Sequence, residues 1–310
     1  MTSSTEHFDE LLEWHPGTAD AARGNVLAAF VWGVRRAGSA KLLLLVLWLL
    51  YVALELGAAG LLVEVLRAPD FAREAFHRLM LSAGAGGIVG LPAAQASYRA
   101  AIFISPTRAL WVPTPYFFLL YAFVAGGAIS YLHSPRQAPF LAQLSAACGR
   151  YAGRFTRLLL LQGALFGLFA AIIEAAPFAE PGAALLWVEV GTTVIAMAVV
   201  AAICDYGRVR TVARDSRSMV IELARSAGFF LRNLPRTVAL ELLLLLATVI
   251  TANLALVLNA ALRLLLQDST AAAVAGQLLV LSLLWLRLVA WGAMLSLYQG
   301  LTLEALRQSS

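Results

Sequence analysis

Two sets of residues have types and spacings that bear on chemistry. The first is a set of charges inside apolar runs: Glu55, Glu64, Glu189, Arg263 and Arg287, with Glu174 and Glu241 near run ends. An ionisable group at mid-bilayer costs about 2.5–3.5 kcal/mol on insertion scales, so it turns toward protein or water and away from lipid. Placed this way, carboxylates and arginines either line a polar path or ligand pocket, or pair across helices and pin a bundle. The second set is Asp205-Tyr206-x-Arg208-x-Arg210, followed by Asp215 and Arg217. Guanidinium groups hold phosphate through paired N–H donors, and a neighbouring carboxylate orients them. This stretch therefore reads as a lipid-phosphate or partner-binding loop, or as a salt-bridged connection between helices.

Other chemistry has no foothold. The sequence contains no HExxH, no Gly-x-Ser-x-Gly, no phosphate-binding Walker loop and no dinucleotide glycine pattern. His7, His15, His77 and His133 stand without a His or Cys at ligand spacing, so neither a metal nor another cofactor is expected. Cys148 and Cys204 read as small apolar residues. With no acid, base and nucleophile in a recognisable constellation, the chain is expected not to be an enzyme.

The elements that must position these charges follow from composition. Of 310 residues, 61% are hydrophobic and only 13% are Asp, Glu, Lys or Arg. Soluble domains carry about 45–50% apolar and about 25% charged residues. With a mean hydropathy of +0.79, the chain reads as an all-α polytopic membrane protein. Its formal charge of +5 comes almost wholly from arginine, Lys41 being the one lysine. These cations flank apolar runs, which points to anionic lipid headgroups as the partner and away from nucleic acid.

A bilayer core of about 30 Å needs about 20 mostly apolar residues. Six runs qualify: 41–66, 116–132, 158–175, 184–204, 237–265 and 273–300. Residues 1–25 form an acidic N-terminal segment without the basic start of a secretory signal, so the first span is expected to target the chain. Residues 26–303 form the membrane domain and 304–310 a short tail. Leu79–Ile104 is apolar but carries Pro92 and Arg99. It is either a seventh span or a membrane-dipping part of a long non-cytoplasmic connection, 67–115. The arginine count favours the second. Basic residues gather before span one, between spans two and three, and between spans four and five, whereas 176–183 and 266–272 have none. Six spans with both termini cytoplasmic satisfy the positive-inside rule except at 67–115, which holds Arg67, Arg73, Arg78, Arg99 and Arg108, and long loops obey that rule weakly.

Three segments share a plan of a half-apolar stretch, spaced basic residues and then a leucine run. They begin at Val26, Phe140 and Met219. The predicted architecture is three two-span hairpins, each preceded by an amphipathic helix in the headgroup plane. At 1.5 Å per residue, Glu55 lies roughly 20 Å from the inner face, Arg287 roughly 17 Å and Glu189 roughly 25 Å. Arg287 is thus expected to pair with Glu55 or, less easily, Glu189. Arg263 matches Glu64 or Glu189.

The stretch Ile203–Asn233, with Ala125–Ile129, Cys148–Phe155 and Leu284–Trp291, resembles a group of uncharacterised bacterial multi-span proteins. They share about six spans and an Asp-Tyr-x-Arg-x-Arg stretch followed by Asp-x-Arg-Ser. The likeness covers roughly residues 115–300. The elbow-plus-hairpin plan is also distantly similar to the membrane domains of some bacterial glycerophosphodiester phosphodiesterases. The resemblance implies a multi-pass protein of the bacterial cytoplasmic membrane and adds no mechanism. The expected function is a non-enzymatic scaffold, assembly or lipid-contact subunit. The alternative is a transporter or channel for a small molecule, ion or lipid, using the intramembrane charges.

Overall fold

The computed structural model describes residues 25–67, 113–133, 139–175, 183–266 and 269–309. The acidic N-terminal segment and Leu79–Ile104 lie outside them, as do the side chains of Glu55, Glu64, Glu189 and Arg263. The described residues are helical and contain no strand. The helices are α1 (Val26–Ser39), α2 (Lys41–Arg67), α3 (Pro113–His133), α4 (Phe140–Ala175), α5 (Ala183–Arg214), α6 (Met219–Arg232), α7 (Leu234–Leu266) and α8 (Ser269–Ser309).

The chain divides into two compact units. One is Leu47–Tyr121, to which α2 and α3 contribute 47–67 and 113–121. The other, Met1–Val46 with Ala122–Ser310, holds all the sites described below.

Within this larger unit α8 is central, packing on α1, α5 and α7. Every residue from Leu288 to Tyr298 is buried, as expected of a helix that is apolar all round. Small residues let α1 approach it. Ala29, Gly33 and Ala37 recur every fourth position and are buried. A Cβ added at Gly33 would stand 2.5 Å from the Val289 carbonyl oxygen, and one at Gly292 would stand 3.1 Å from the Gly33 Cα. This is the small-residue packing by which helices touch backbone to backbone.

Two of the predicted elbows are breaks in the chain. The first is at Ala40, where the axes of α1 and Lys41–Leu54 turn by 75°. Ala40 N–H donates to the Arg36 and Ala37 carbonyls, closing α1. The other is at Asn233, whose side-chain amide donates to the Phe229 carbonyl at 3.0 Å. Pro235 then sits in the first turn of α7, where its missing N–H is harmless. The middle elbow differs from expectation, because α4 runs unbroken from Phe140 through the predicted span. Gly149 and Gly153 have open space where a side chain would be, and neither ends the helix.

Among the described residues two helices are long and apolar enough to cross a membrane, Leu234–Leu262 and Gly276–Ala305, or three if the bent α1–α2 pair is one span. On α7 the large exposed residues include Leu242, Leu245, Leu246, Val249, Ile250 and Leu254, a face suited to hydrocarbon.

Candidate functional site

The charged stretch read as a loop is mostly helix. α5 continues to Arg214, so Asp205, Tyr206, Arg208 and Arg210 lie on its last turns and are buried. Only Asp215 and Arg217 fall in the connection to α6. The physical reason is mutual neutralisation. Charges end a membrane span, but a helix continues where its charges find partners inside the bundle.

The partners of Asp205 define a polar core. Arg208 Nη1, one turn along, donates to Asp205 Oδ1. Arg287 Nη2 of α8 donates to the same oxygen at 2.7 Å. Arg208 Nη2 donates to Gln162 Oε1 of α4 at 2.7 Å. Asp205 and Arg208 together thus tie α5 to α8 and α4, and the Arg287 guanidinium also lies 5.0 Å from the Trp291 ring centroid. Glu241 of α7 is within electrostatic reach of both Asp205 and Arg287. Its Oε1 and the buried hydroxyl of Tyr206 have no hydrogen-bond partner among the described residues. Asp205 is a partner for Arg287 that counting depth from helix ends did not identify.

A second cluster joins α5 to α6. Glu222 is 1% exposed. It accepts from Arg210 Nε at 3.2 Å and from Arg225 Nη1 at 3.0 Å. Arg210 also lies 5.3 Å from the ring centroid of Tyr298 on α8. Arg214 Nε donates to the Tyr298 hydroxyl at 2.7 Å. Phe229 stands edge-on to Tyr298 and packs against Tyr206, with ring centroids 5.3 and 5.5 Å away. Between α5, α6 and α8, Arg210, Arg214, Arg225, Phe229 and Tyr298 border a groove of about 960 Å³.

Asp215 forms a third cluster. It adopts φ 49°, the left-handed region that asparagine and glycine usually fill. Its N–H donates to the Val212 carbonyl and that of Ser216 to the Thr211 carbonyl, the paired bonds of a Schellman helix end. Arg150 donates to Asp215 Oδ2, and Arg154 to Oδ1 at 2.8 Å. Burial alone would raise this carboxyl. The Arg154 hydrogen bond and the two guanidinium charges outweigh it and hold Asp215 below the ordinary aspartate range.

Sequence reasoning singled out Asp205, Tyr206, Arg208, Arg210, Asp215, Arg217 and Arg287. The structure buries the first four, leaves Arg287 half-buried against Asp205, and puts Asp215 in the α4 clamp and Arg217 in an exposed position. Sequence reasoning missed Glu222 and Tyr298 as members. Glu222 carried a readable signal, being an acid in the first turn of α6, where the helix dipole favours it. Among the described residues no group of three or more metal-ligating side chains comes together. The fold class is therefore all-helical with candidate membrane spans. No protein-family model, curated protein or solved structure matches the chain.

Proposed function

We propose that the chain is an integral protein of the bacterial cytoplasmic membrane, six spans in three hairpins. Its role is non-enzymatic: a scaffold, assembly or lipid-contact subunit whose arginine-rich end faces anionic headgroups. One observation carries this reading: the charges interlock the helices. Asp205 joins α5 to α8, Glu222 joins α5 to α6, and Asp215 joins α4 to the α5–α6 connection. Arg236 of α7 donates to Glu304 of α8 at 2.8 Å. Pairs like these, spread over five helices, hold a bundle in one arrangement.

The second reading is a transporter or channel. It is favoured by the Arg287 side chain, which is 35% exposed, and by the unpartnered Tyr206 and Glu241 atoms.

Cysteine accessibility in native membranes separates the two. Cys148 and Cys204 are buried and are replaced first. Single cysteines at Ala58, Val190 and Leu284 are then treated with a membrane-impermeant thiol reagent, with Arg217→Cys as the exposed control. Protection at the three sites, with cytoplasmic labelling at 217, supports the scaffold. Labelling at the three sites selects the transporter, and labelling of 217 from the opposite side breaks the topology.

A further inference from the structure

The groove between α5, α6 and α8 is lined by four arginines: Arg210, Arg214, Arg225 and Arg232. One carboxylate, Glu222, serves two of them. Arg214 donates to a neutral phenol, and Arg232 has no ion pair or hydrogen bond among the described residues. The groove is therefore strongly positive. The rest of its lining is largely apolar, with Val220, Ile221, Ala224 and Leu301. Val220 and Ile221 are exposed on α6, beside the arginines.

Its position along the chain is equally specific. Asn233 borders it immediately before the candidate span Leu234–Leu262, and Ala305 borders it at the end of Gly276–Ala305. The Arg236–Glu304 pair brings these two span ends together. On the membrane reading above, on which this inference rests, the groove opens where both spans meet the headgroup layer. A small soluble anion would use the arginines and leave the apolar lining idle. A phosphate that carries acyl chains uses both.

We infer that this groove binds the phosphate of an anionic phospholipid, with the acyl chains along Val220, Ile221 and Leu301. Gly228 supplies a clean way to close it. It lines the groove, and a Cβ there would meet nothing within 4 Å. Gly228→Leu adds apolar bulk at the groove from a Cβ that meets no atom, and it improves local helix propensity.

The experiment is native mass spectrometry of the detergent-purified full chain with equimolar phosphatidylglycerol and phosphatidylcholine. Wild type should retain phosphatidylglycerol preferentially. At roughly five-fold per arginine, Arg214→Gln with Arg232→Gln should reduce that preference by on the order of 25-fold. Gly228→Leu should reduce lipid retention while helix content by circular dichroism is unchanged. If the double variant does not fold, Arg232→Gln alone, at an exposed residue with no partner among the described residues, should still show the single-arginine loss. Equal retention of the two lipids, or a preference unchanged in these variants, overturns the inference. Displacement of the lipid by millimolar inorganic phosphate overturns the lipid and assigns a soluble phosphate instead. Carbonate extraction keeps the two levels apart. Release from membranes defeats the membrane reading, whereas membrane retention without lipid preference defeats the groove alone.

Discussion

Arg287 on α8 and Asp205 on α5 are joined at 2.7 Å although 82 positions separate them. Asp205 is 5% exposed, and Arg208 bonds the same carboxylate. Removing one partner of a buried ion pair leaves an uncompensated charge and costs about 3–5 kcal/mol. Asp205→Ala is expected to lose stability in that range in thermal unfolding followed by circular dichroism. Adding Arg208→Met, which removes a stranded cation, should recover part of the loss. A single variant within about 1 kcal/mol of wild type, the ordinary range of surface ion pairs, would show that the carboxylate is incidental.

The α1–α8 crossing makes a sharper prediction, because the obstacle is backbone. At Gly33 an added methyl would meet Val289 O at 2.5 Å and Ala293 N at 2.7 Å. Neither atom can swing aside, so α1 must lift from α8. Gly33→Ala is expected to cost about 1–3 kcal/mol, the usual range for overpacking, and Gly33→Leu to abolish the folded state. Gly38, on the same helix, has nothing within 4 Å. Gly38→Ala should be neutral or stabilising by up to about 1 kcal/mol. Equal melting temperatures for the two alanine variants would contradict the close crossing.

Asp215 has two roles, a left-handed helix end and an acceptor for two arginines, and substitution separates them. Asn keeps the backbone preference and loses the charge, Gly relieves the backbone and loses the charge, and Ala loses both. Alanine should therefore be the least stable of the three. The carboxylate is 45% exposed, so solvent screening holds its ion-pair contribution to under about 1 kcal/mol. Its folded pKa is depressed. The stabilisation is thus complete above the unfolded aspartate value, about 3.9, and is lost as pH falls through the lower folded value. The gap between wild type and Asp215→Asn should be present at pH 7, shrink in high salt and close in acid. A gap that widens in acid would reverse the assignment.

The all-helical class was legible from composition, since such an excess of apolar residues has few other homes. Two helix breaks, at Ala40 and Asn233, fall where spaced basic residues give way to a leucine run, the pattern the sequence offered. The elbow expected between Phe140 and the span at 158–175 was misplaced. Its basic residues look like a boundary, yet nothing between Phe140 and Ala175 interrupts helical hydrogen bonding. Hydropathy puts the end of span four at residue 204, so Asp205 reads as the start of a connection, whereas α5 runs on to Arg214. Depth counted from either set of helix ends separates Asp205 from Arg287, so their contact reflects how α5 and α8 pack. A one-dimensional profile sees where apolar side chains stop, but not where charges of opposite sign let a helix go on.

Glu222 links the stability of the bundle to the chemistry of the groove. It is the carboxylate shared by Arg210 and Arg225, and its side chain is 1% exposed. Glu222→Gln preserves shape and one acceptor but removes the charge. Arg210, itself 8% exposed at the side chain, is left buried without its anion. A loss of about 3–5 kcal/mol is expected on thermal unfolding. The same change makes the groove more positive, so retention of phosphatidylglycerol should rise as stability falls. Those opposite movements are not what a purely structural arginine cluster would give. If both measures fall together in folded protein, Glu222 orders the arginines for their ligand as well as neutralising them. If neither moves, the ion pairs between α5 and α6 do not hold the groove together.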